Sequence, residues 1–278
     1  VSAAAAPRGA ISLRDVSKVY DPGGVNVVAV DHWSLEIGAG EFVVVVGPSG
    51  CGKTTLLNGI AGFDAITGGE IVLDGRTIAS PSKRLTPGAD RVVVFQNGAL
   101  FPWKTVLENV VFGPMAQGKM SKSDAEHAAR ELLTRVGLRD VENDYPSRLS
   151  SGTQRRVELI RALINDPAVL LLDEPFRALD AMSKSVMHEH MLRLYDMAKK
   201  TVFFITHDLD EAIFLADRVI ICTSRPASVK KMLTIDLPRP RDYTLMSTPE
   251  FFRLKEEVAE AVHEEAAKAF VLGERELA

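Results

Sequence analysis

The chain has 278 residues, 46% of them hydrophobic and 25% charged, an ordinary balance for a globular protein with a substantial core in one or two domains. A formal net charge of −4 leaves no bulk electrostatic footprint for nucleic acid. No segment approaches the roughly 18 consecutive apolar residues of a membrane span, and two cysteines make no disulfide framework, which fits a reducing compartment.

Residues 1–9 carry an Ala run without a long apolar stretch behind a basic start, so a disordered tail is expected, not a signal peptide. From Ala10 to about Ile78 the pattern is strand-like and rich in turns. Ile11, Leu13 and Val16 lead to Tyr20, Asp21–Gly24 reads as a turn, and Val25–Val30 is a β-branched run. Phe42–Val46 is a buried strand, with a helix over Thr54–Ala61. Glu70–Leu73 and Arg76–Ile78 make a hairpin through Asp74-Gly75. Apolar runs at Val92–Phe95, Val169–Leu172, Val202–Ile205 and Val219–Cys222 alternate with helical stretches, the mark of a parallel sheet with helices on its faces.

Leu100 to about Leu149 departs from this alternation and reads as mostly helical. In Ser121–Val136 the apolar residues are Ala125, Ala128, Leu132 and Val136, and Gly137 is a stop. Residues 99–150 are therefore expected to form a helical subdomain inserted into an α/β domain spanning 10–237. Residues 238–278 are expected to be a Pro/Arg linker, Pro238–Arg241, and a last helix. Ser247–Glu250 caps that helix, and Leu254, Val258 and Val262 share a face. That face suits either ordinary packing or a partner. The basic pairs Lys83-Arg84 and Lys230-Lys231 read as solvated surface.

Gly47, Pro48, Ser49, Gly50, Cys51, Gly52, Lys53, Thr54 and Thr55 form the phosphate-cradling pattern G-x-x-x-x-G-K-[ST] between strand and helix. Glycines let backbone N–H groups turn inward around an anion. Lys53 reaches the β- and γ-phosphates, the Thr54 hydroxyl ligates Mg²⁺, and the helix start adds about half a positive charge. Val169–Leu172 delivers Asp173 and Glu174 at a strand end, one to hold Mg²⁺ and the other to polarise a water as general base. Gln96, after another strand, is a candidate for Mg²⁺ and the attacking water. His207 follows Val202–Thr206, where a neutral imidazole suits the γ-phosphate. Leu149–Thr153 opens a helix over Gln154–Leu163. Ser150, Ser151, Gly152 and Thr153 suit either a second anion site or a plain helix cap. Cys51, near Lys53 and a helix start, is expected to be reactive in the absence of nucleotide.

Taken in order, Tyr20, Gly47–Thr55, Gln96, Leu149–Thr153, Asp173-Glu174, Ala178-Leu179-Asp180 and His207 resemble the ATP-binding subunit of ABC transporters, over roughly residues 10–225. Phe101–Val106, Pro175-Phe176, Thr206–Ala212, Arg225-Pro226 and Leu237–Arg241 resemble the nitrate/sulfonate/taurine group of importers. The resemblance implies a P-loop NTPase of the ABC type, α/β, with a mainly parallel core sheet, an N-terminal antiparallel β subdomain and an inserted helical subdomain. It implies ATP and Mg²⁺, with Tyr20 stacked on adenine. Ser150 and the amides of Ser151 and Gly152 would bind the γ-phosphate held by a second copy, Asp180 would couple the two sites, and His207 would be the switch histidine.

The implied setting is the cytoplasmic face of a bacterial inner membrane, beside a permease fed by a periplasmic binding protein. Phe101 and Trp103 suit a permease-docking groove or packing inside the helical subdomain. The chain departs from the family pattern at Ser151, Thr153, Gln154-Arg155-Arg156 and Arg177, which bears on turnover more than on nucleotide binding. A catalytically weak regulatory cassette and a soluble, non-transport ABC ATPase are the alternatives. The transported molecule is not written in this subunit.

Overall fold

The computed structural model describes residues 8–21, 23–83 and 85–271; residues 1–7 of the expected tail lie outside them. In chain order, β1 (Ile11–Tyr20) and β2 (Val27–Ile37) are followed by β3 (Phe42–Val46) and α1 (Lys53–Ala61). β4 (Gly68–Leu73), β5 (Arg76–Ala79) and β6 (Arg91–Val94) precede α2 (Val106–Ala116), α3 (Lys122–Arg135) and α4 (Ser151–Leu163). Then come β7 (Val169–Asp173), α5 (Ala181–Ala198), β8 (Thr201–Ile205), α6 (Leu209–Leu215), β9 (Arg218–Cys222), β10 (Val229–Thr234) and α7 (Pro249–Val271).

The strands form two sheets. One is four-stranded and antiparallel, in the order β2-β1-β4-β5; the other is six-stranded, in the order β10-β9-β3-β8-β7-β6. In the larger sheet every neighbouring pair is parallel except β10 with β9 at one edge. All five residues of β3 are fully buried. They alternate between two apolar clusters: Phe42, Val44 and Val46 join the core under the helices, while Val43 and Val45 join the core shared with α1 and the smaller sheet. Such two-sided burial explains why the run carries no polar alternation.

The hairpin β4–β5 turns at Asp74 and Gly75, with φ of 48° and 75°, the left-handed pair that a two-residue turn requires. α3 is capped by Ser121, whose hydroxyl accepts from the Asp124 amide. Its buried stripe is Ala125, Ala129 and Leu133; Ala128 and Leu132 are only partly buried. Ala125 and Val136 are buried as expected, and between them the stripe runs through Ala129 and Leu133, one residue on from the expected Ala128 and Leu132.

Several expectations need correction. β2 does not stop at Val30 but continues through fully buried Trp33 to Ile37. The polar Asp31-His32 step disguised this, because β1 and β2 shift register there. Asp15 (φ 55°) and His32 (φ 46°) sit at the irregularity, joined by a 2.6 Å contact. Arg8 and Gly9 are not a loose tail: Arg8 pairs with Asp166 at 2.8 Å and the Gly9 amide donates to Asp74. Lys230 and Lys231 lie on β10 and fasten α7, pairing with Glu264 and Glu257. α7 buries Phe251, Leu254, Val258, Ala261 and Glu265, a helical stripe that packs on the core.

The segment 238–241 is an anchor, not a linker. Arg239 pairs with Asp217 at 2.7 Å. Asp217 also accepts from the Phe42 amide and the Tyr195 hydroxyl, which ties down the start of β3. Arg241 is buried and donates to the carbonyls of Phe214 (3.0 Å), Ala216 (2.7 Å) and Ile235 (3.2 Å). It thus satisfies carbonyls that the end of α6 leaves open. Burial presses its pKa down to about 10. Arg241→Ala orphans these carbonyls and should cost about 2–3 kcal/mol, read as a lower urea midpoint with an unchanged slope.

Candidate active site

Parallel pairing brings the C-terminal ends of β6, β7, β8, β3 and β9 to one edge of the larger sheet. The phosphate loop leaves β3 there. Gly50 and Gly52 have φ of 75° and 122°. A Cβ on Gly50 would meet nothing within 4 Å, whereas one on Gly52 would run into the Ala29 carbonyl. Gly50 therefore leaves open space on the exposed side, and Gly52 lets the loop lie against β2. No side chain caps α1 at Gly52, so its first N–H groups have no side-chain partner in competition with an anion.

The Lys53 ammonium is buried and donates to the carbonyls of Gly47 and Pro48, both at 2.8 Å. Ser49, Gly50 and Thr54 are exposed, with Pro48, Gly52 and Thr55 partly so. The Thr54 hydroxyl donates to the Asp173 carboxylate at 3.0 and 3.2 Å. Burial raises the Asp173 pKa, and the Thr54 hydrogen bond opposes that rise. Two oxygen donors side by side, with no sulfur or imidazole between them, are the hard set that Mg²⁺ prefers. These residues fit the ion, and Thr54 and Asp173 would hold it.

Glu174 follows with φ 42°, its amide donating to the Ile205 carbonyl at 2.9 Å. A left-handed glutamate is strained and persists because the adjacent strand β8 holds it. Its Oε2 lies 3.3 Å from His207 Nδ1 and 3.3 Å from Arg177 Nη1. Glutamate, histidine and phosphate loop thus come from three adjacent strands. Neither the histidine nor the arginine on this oxygen was written in the sequence as a partner of Glu174.

Buried groups behind His207 hold its strand end. Thr206 Oγ1 donates to Glu211 and accepts from the Asp208 amide. Glu211 meets His188 at 2.9 Å, and His188 meets the Tyr243 hydroxyl at 2.7 Å. His188 therefore has a packing and hydrogen-bonding role that no local signal announced.

Gln96 is half-buried at the end of β6. Its carbonyl accepts from Arg155 at 2.8 Å, and the Phe95 carbonyl accepts from the same guanidinium at 2.7 Å. Arg155 is paired with Glu158 at 2.6 Å, and Glu158 accepts from the Ala99 amide. Helix α4 thus carries, one turn beyond Ser150–Thr153, the side chains that set the backbone after β6. In the sequence Arg155 shows only as a departure from the family pattern and Glu158 not at all, since the partners of both lie after β6.

Tyr20 is half-exposed at the end of β1; its hydroxyl donates to Asp64 at 2.7 Å and the Lys18 ammonium sits 4.6 Å from its ring centroid. Burial acts to raise the Asp64 pKa, but Lys18 and Tyr20 hold it below the ordinary value. Ser150 caps α4 by accepting from the Thr153 amide, and its hydroxyl meets that of Thr153 at 3.0 Å. Asp180 caps α5 through the Ser183 amide. Ser150, Ser151 and Asp180 are exposed. Among the described residues no hydrogen bond or ion pair joins them to the phosphate loop within one chain. Cys51, expected to be reactive, is buried, with its sulfur 3.7 Å from the Lys53 ammonium.

Residues 30–177 match the family model described as ABC transporter. The nitrate import ATP-binding protein NrtD of Synechocystis is 41% identical over 255 residues, covering 90% of this chain and 93% of the relative. The bicarbonate transport ATP-binding protein CmpD of Synechocystis is 40% identical, covering 88% and 86%. Among solved structures, a dimeric ATP-binding cassette in a post-hydrolysis state with ADP and Pi is 32% identical. It covers 82% of this chain and 100% of its own, with a TM-score of 0.69.

Arg155→Met leaves Glu158 buried without its paired cation, and the expected loss is about 3–5 kcal/mol. Adding Glu158→Leu removes the stranded charge, so the double variant should regain part of that loss in chemical denaturation. Additive effects of the two changes would show that the pair does not act as a unit.

Proposed function

We propose, from the premise that this chain belongs to the ABC transporter family as an ATP-binding subunit that hydrolyses ATP, that it is the motor of an importer for a small anion or related nutrient. Nitrate, sulfonate or taurine, and bicarbonate-like anions are the substrate class that the relatives and the sequence phrases support. The observation that carries the reading is the meeting of Lys53, Thr54, Asp173, Glu174 and His207 at one edge of the sheet.

Lys53 exchanges its two loop carbonyls for phosphate oxygens when nucleotide enters, so its buried charge stays paired throughout. Mg²⁺, when bound, neutralises phosphate charge. Glu174 takes the proton of the attacking water, and His207, 3.3 Å from that carboxylate, orients it and senses the γ-phosphate. Gln96 reports the same event to the helices through Arg155. Tyr20, braced by Asp64, offers its ring to adenine. Ser150, Ser151, Gly152 and Thr153 close over the nucleotide of a second copy, and Asp180 joins the two sites. The exposure of Ser150, Ser151 and Asp180 within one chain supports that head-to-tail dimer.

No helix among the described residues is long and apolar enough to cross a membrane, and the proposed setting is the cytoplasmic face of a bacterial inner membrane. A separate permease would dock near Trp103, which is 70% exposed. Phe101 packs inward, 4.9 Å from Phe112 and 5.4 Å from Arg161. Phe101, Phe112 and Arg161 border a cavity of about 350 Å³ lined also by Phe95 and Asn165, and Trp103 stands beside it, its ring 5.7 Å from that of Phe101; the pair suits a short permease helix. A periplasmic binding protein would supply the permease.

A second reading, a slow regulatory cassette, draws support from Arg177, whose charge occupies the oxygen of Glu174 that would take the proton. Hydrolysis assays decide between them. Wild-type protein should turn over ATP, and Glu174→Gln should lower turnover by about 10²–10⁴-fold while still binding ATP. No hydrolysis by wild type in the presence of its permease supports the regulatory reading instead.

Trp103→Ala should weaken permease association by about 2 kcal/mol, roughly 30-fold in Kd, without changing the ATPase rate of the isolated chain. Unchanged association, measured by co-purification and titration, removes the docking surface.

A further inference from the structure

The two cysteines are far apart in sequence and touch in the fold. Cys51 Sγ and Cys222 Sγ are 3.3 Å apart, and both residues are free and buried. We propose that Cys51 and Cys222 form a modification site: a reversible disulfide, made by a peroxide, that fastens the phosphate loop to β9 and lowers its affinity for ATP.

The local structure builds the pair. Parallel pairing sets Val46 opposite Ile221, so positions 47 and 222 leave the sheet side by side. After Gly47 the loop turns back, the Cys51 amide reaching the Pro48 carbonyl at 3.4 Å. A Cβ on Gly47 would strike Cys222 Sγ, so only glycine leaves room for the thiols to meet. Lys53 Nζ lies 3.7 Å from Cys51 Sγ, and Cys222 Sγ lies 3.1 Å from the Val46 carbonyl. The cation is on the side of Cys51 and the acceptor on the side of Cys222. The first thus suits a thiolate and the second a protonated thiol. The hydrogen bond from Cys222 and the Lys53 charge bring Cys51 down to about 6, whereas the Cys51 sulfur and burial push Cys222 up. A pair of packed, inert thiols is the ordinary role of buried cysteine; the unequal surroundings of these two depart from it.

The chemistry balances with hydrogen peroxide as the oxidant. The Cys51 thiolate attacks one peroxide oxygen, the O–O bond breaks and hydroxide leaves, giving a sulfenic acid. Cys222 loses its proton to that hydroxide and attacks the Cys51 sulfur. The S–O bond breaks and a second hydroxide leaves. Both sulfurs are oxidised by one electron each, the peroxide is reduced, and the net products are one disulfide, one water and one hydroxide. A thiol reverses the step by exchange.

Bond formation draws the sulfurs from 3.3 Å to about 2.05 Å. β9 is held on both sides, by β3 and β10, so the loop does the moving. Cys51 is two residues before Lys53 and inside the cradle. At positioned catalytic groups a misplacement of about 1 Å costs about 10²-fold in rate, and the phosphate-binding groups of the cradle are positioned in the same way.

The test is peroxide treatment of the full chain, non-reducing peptide mapping, and titration with a fluorescent ATP analogue before and after dithiothreitol. The expected result is a linked Cys51–Cys222 peptide, at least about tenfold weaker binding, and recovery on reduction. Cys222→Ala should give no linked peptide and keep its affinity after the same exposure. Two alkylatable thiols in the treated wild type, recovered after denaturation, overturn the site. A linked peptide with unchanged affinity overturns its effect on ATP. Equal loss in Cys222→Ala assigns the effect to Cys51 alone and overturns the pair. Mapping of the wild type decides the first point even if the variant does not fold.

Discussion

The parallel register of β3 between β8 and β9 is the constraint on which the rest depends. A strand delivers its next residue at its C-terminal end, and parallel neighbours deliver theirs at the same edge. The phosphate loop, the acidic pair and the histidine therefore converge without any contact among themselves in sequence. Two-sided burial fixes this register: moving β3 by one residue would exchange Val43 and Val45 for Phe42, Val44 and Val46 between the two cores. The same register sets residue 47 beside residue 222, so the thiol contact follows from the geometry that builds the nucleotide site.

A second layer of polar ties holds these strand ends in place. Arg155 and Glu158 hold the backbone after β6, Thr206 and Glu211 hold the backbone after β8, and Asp64 holds the end of β1. Each is a charged or hydroxyl group reaching across elements, and most are buried. Left unpaired, they would be costly. Pairing makes them rigid, which is what a site needs if its donors are to wait for a phosphate without rearranging.

The first layer was legible in the sequence and the second was not. Gly47–Thr55 and Asp173-Glu174 announce themselves because their chemistry needs adjacent residues in a fixed order after an apolar strand. Arg155, Asp64, His188 and Arg241 carry no such order; their partners lie in other elements, and composition alone reads them as ordinary polar residues. The charged irregularity in the middle of β2 hides its continuation in the sequence, and the lysines of β10 mask a strand because they face the acids of α7. Arg177 stood out in the sequence as a departure at the dimer-facing loop. Its actual target, Glu174 three positions earlier, became visible only when the turn folded.

The position of β3 also orders events in time. It is made early, yet the strands that flank it, β8 and β9, come from the last third of the domain. The cradle for phosphate therefore cannot assume its shape on a nascent chain until nearly all of the sheet has been synthesised. Its contacts are among the most non-local in the molecule, the kind that slow folding and leave apolar edges bare meanwhile. Because only the completed sheet presents the loop, nucleotide binds the finished protein alone and draws the folding equilibrium toward it by mass action. The cell's ATP pool is thus a stabiliser of the mature chain as well as its fuel.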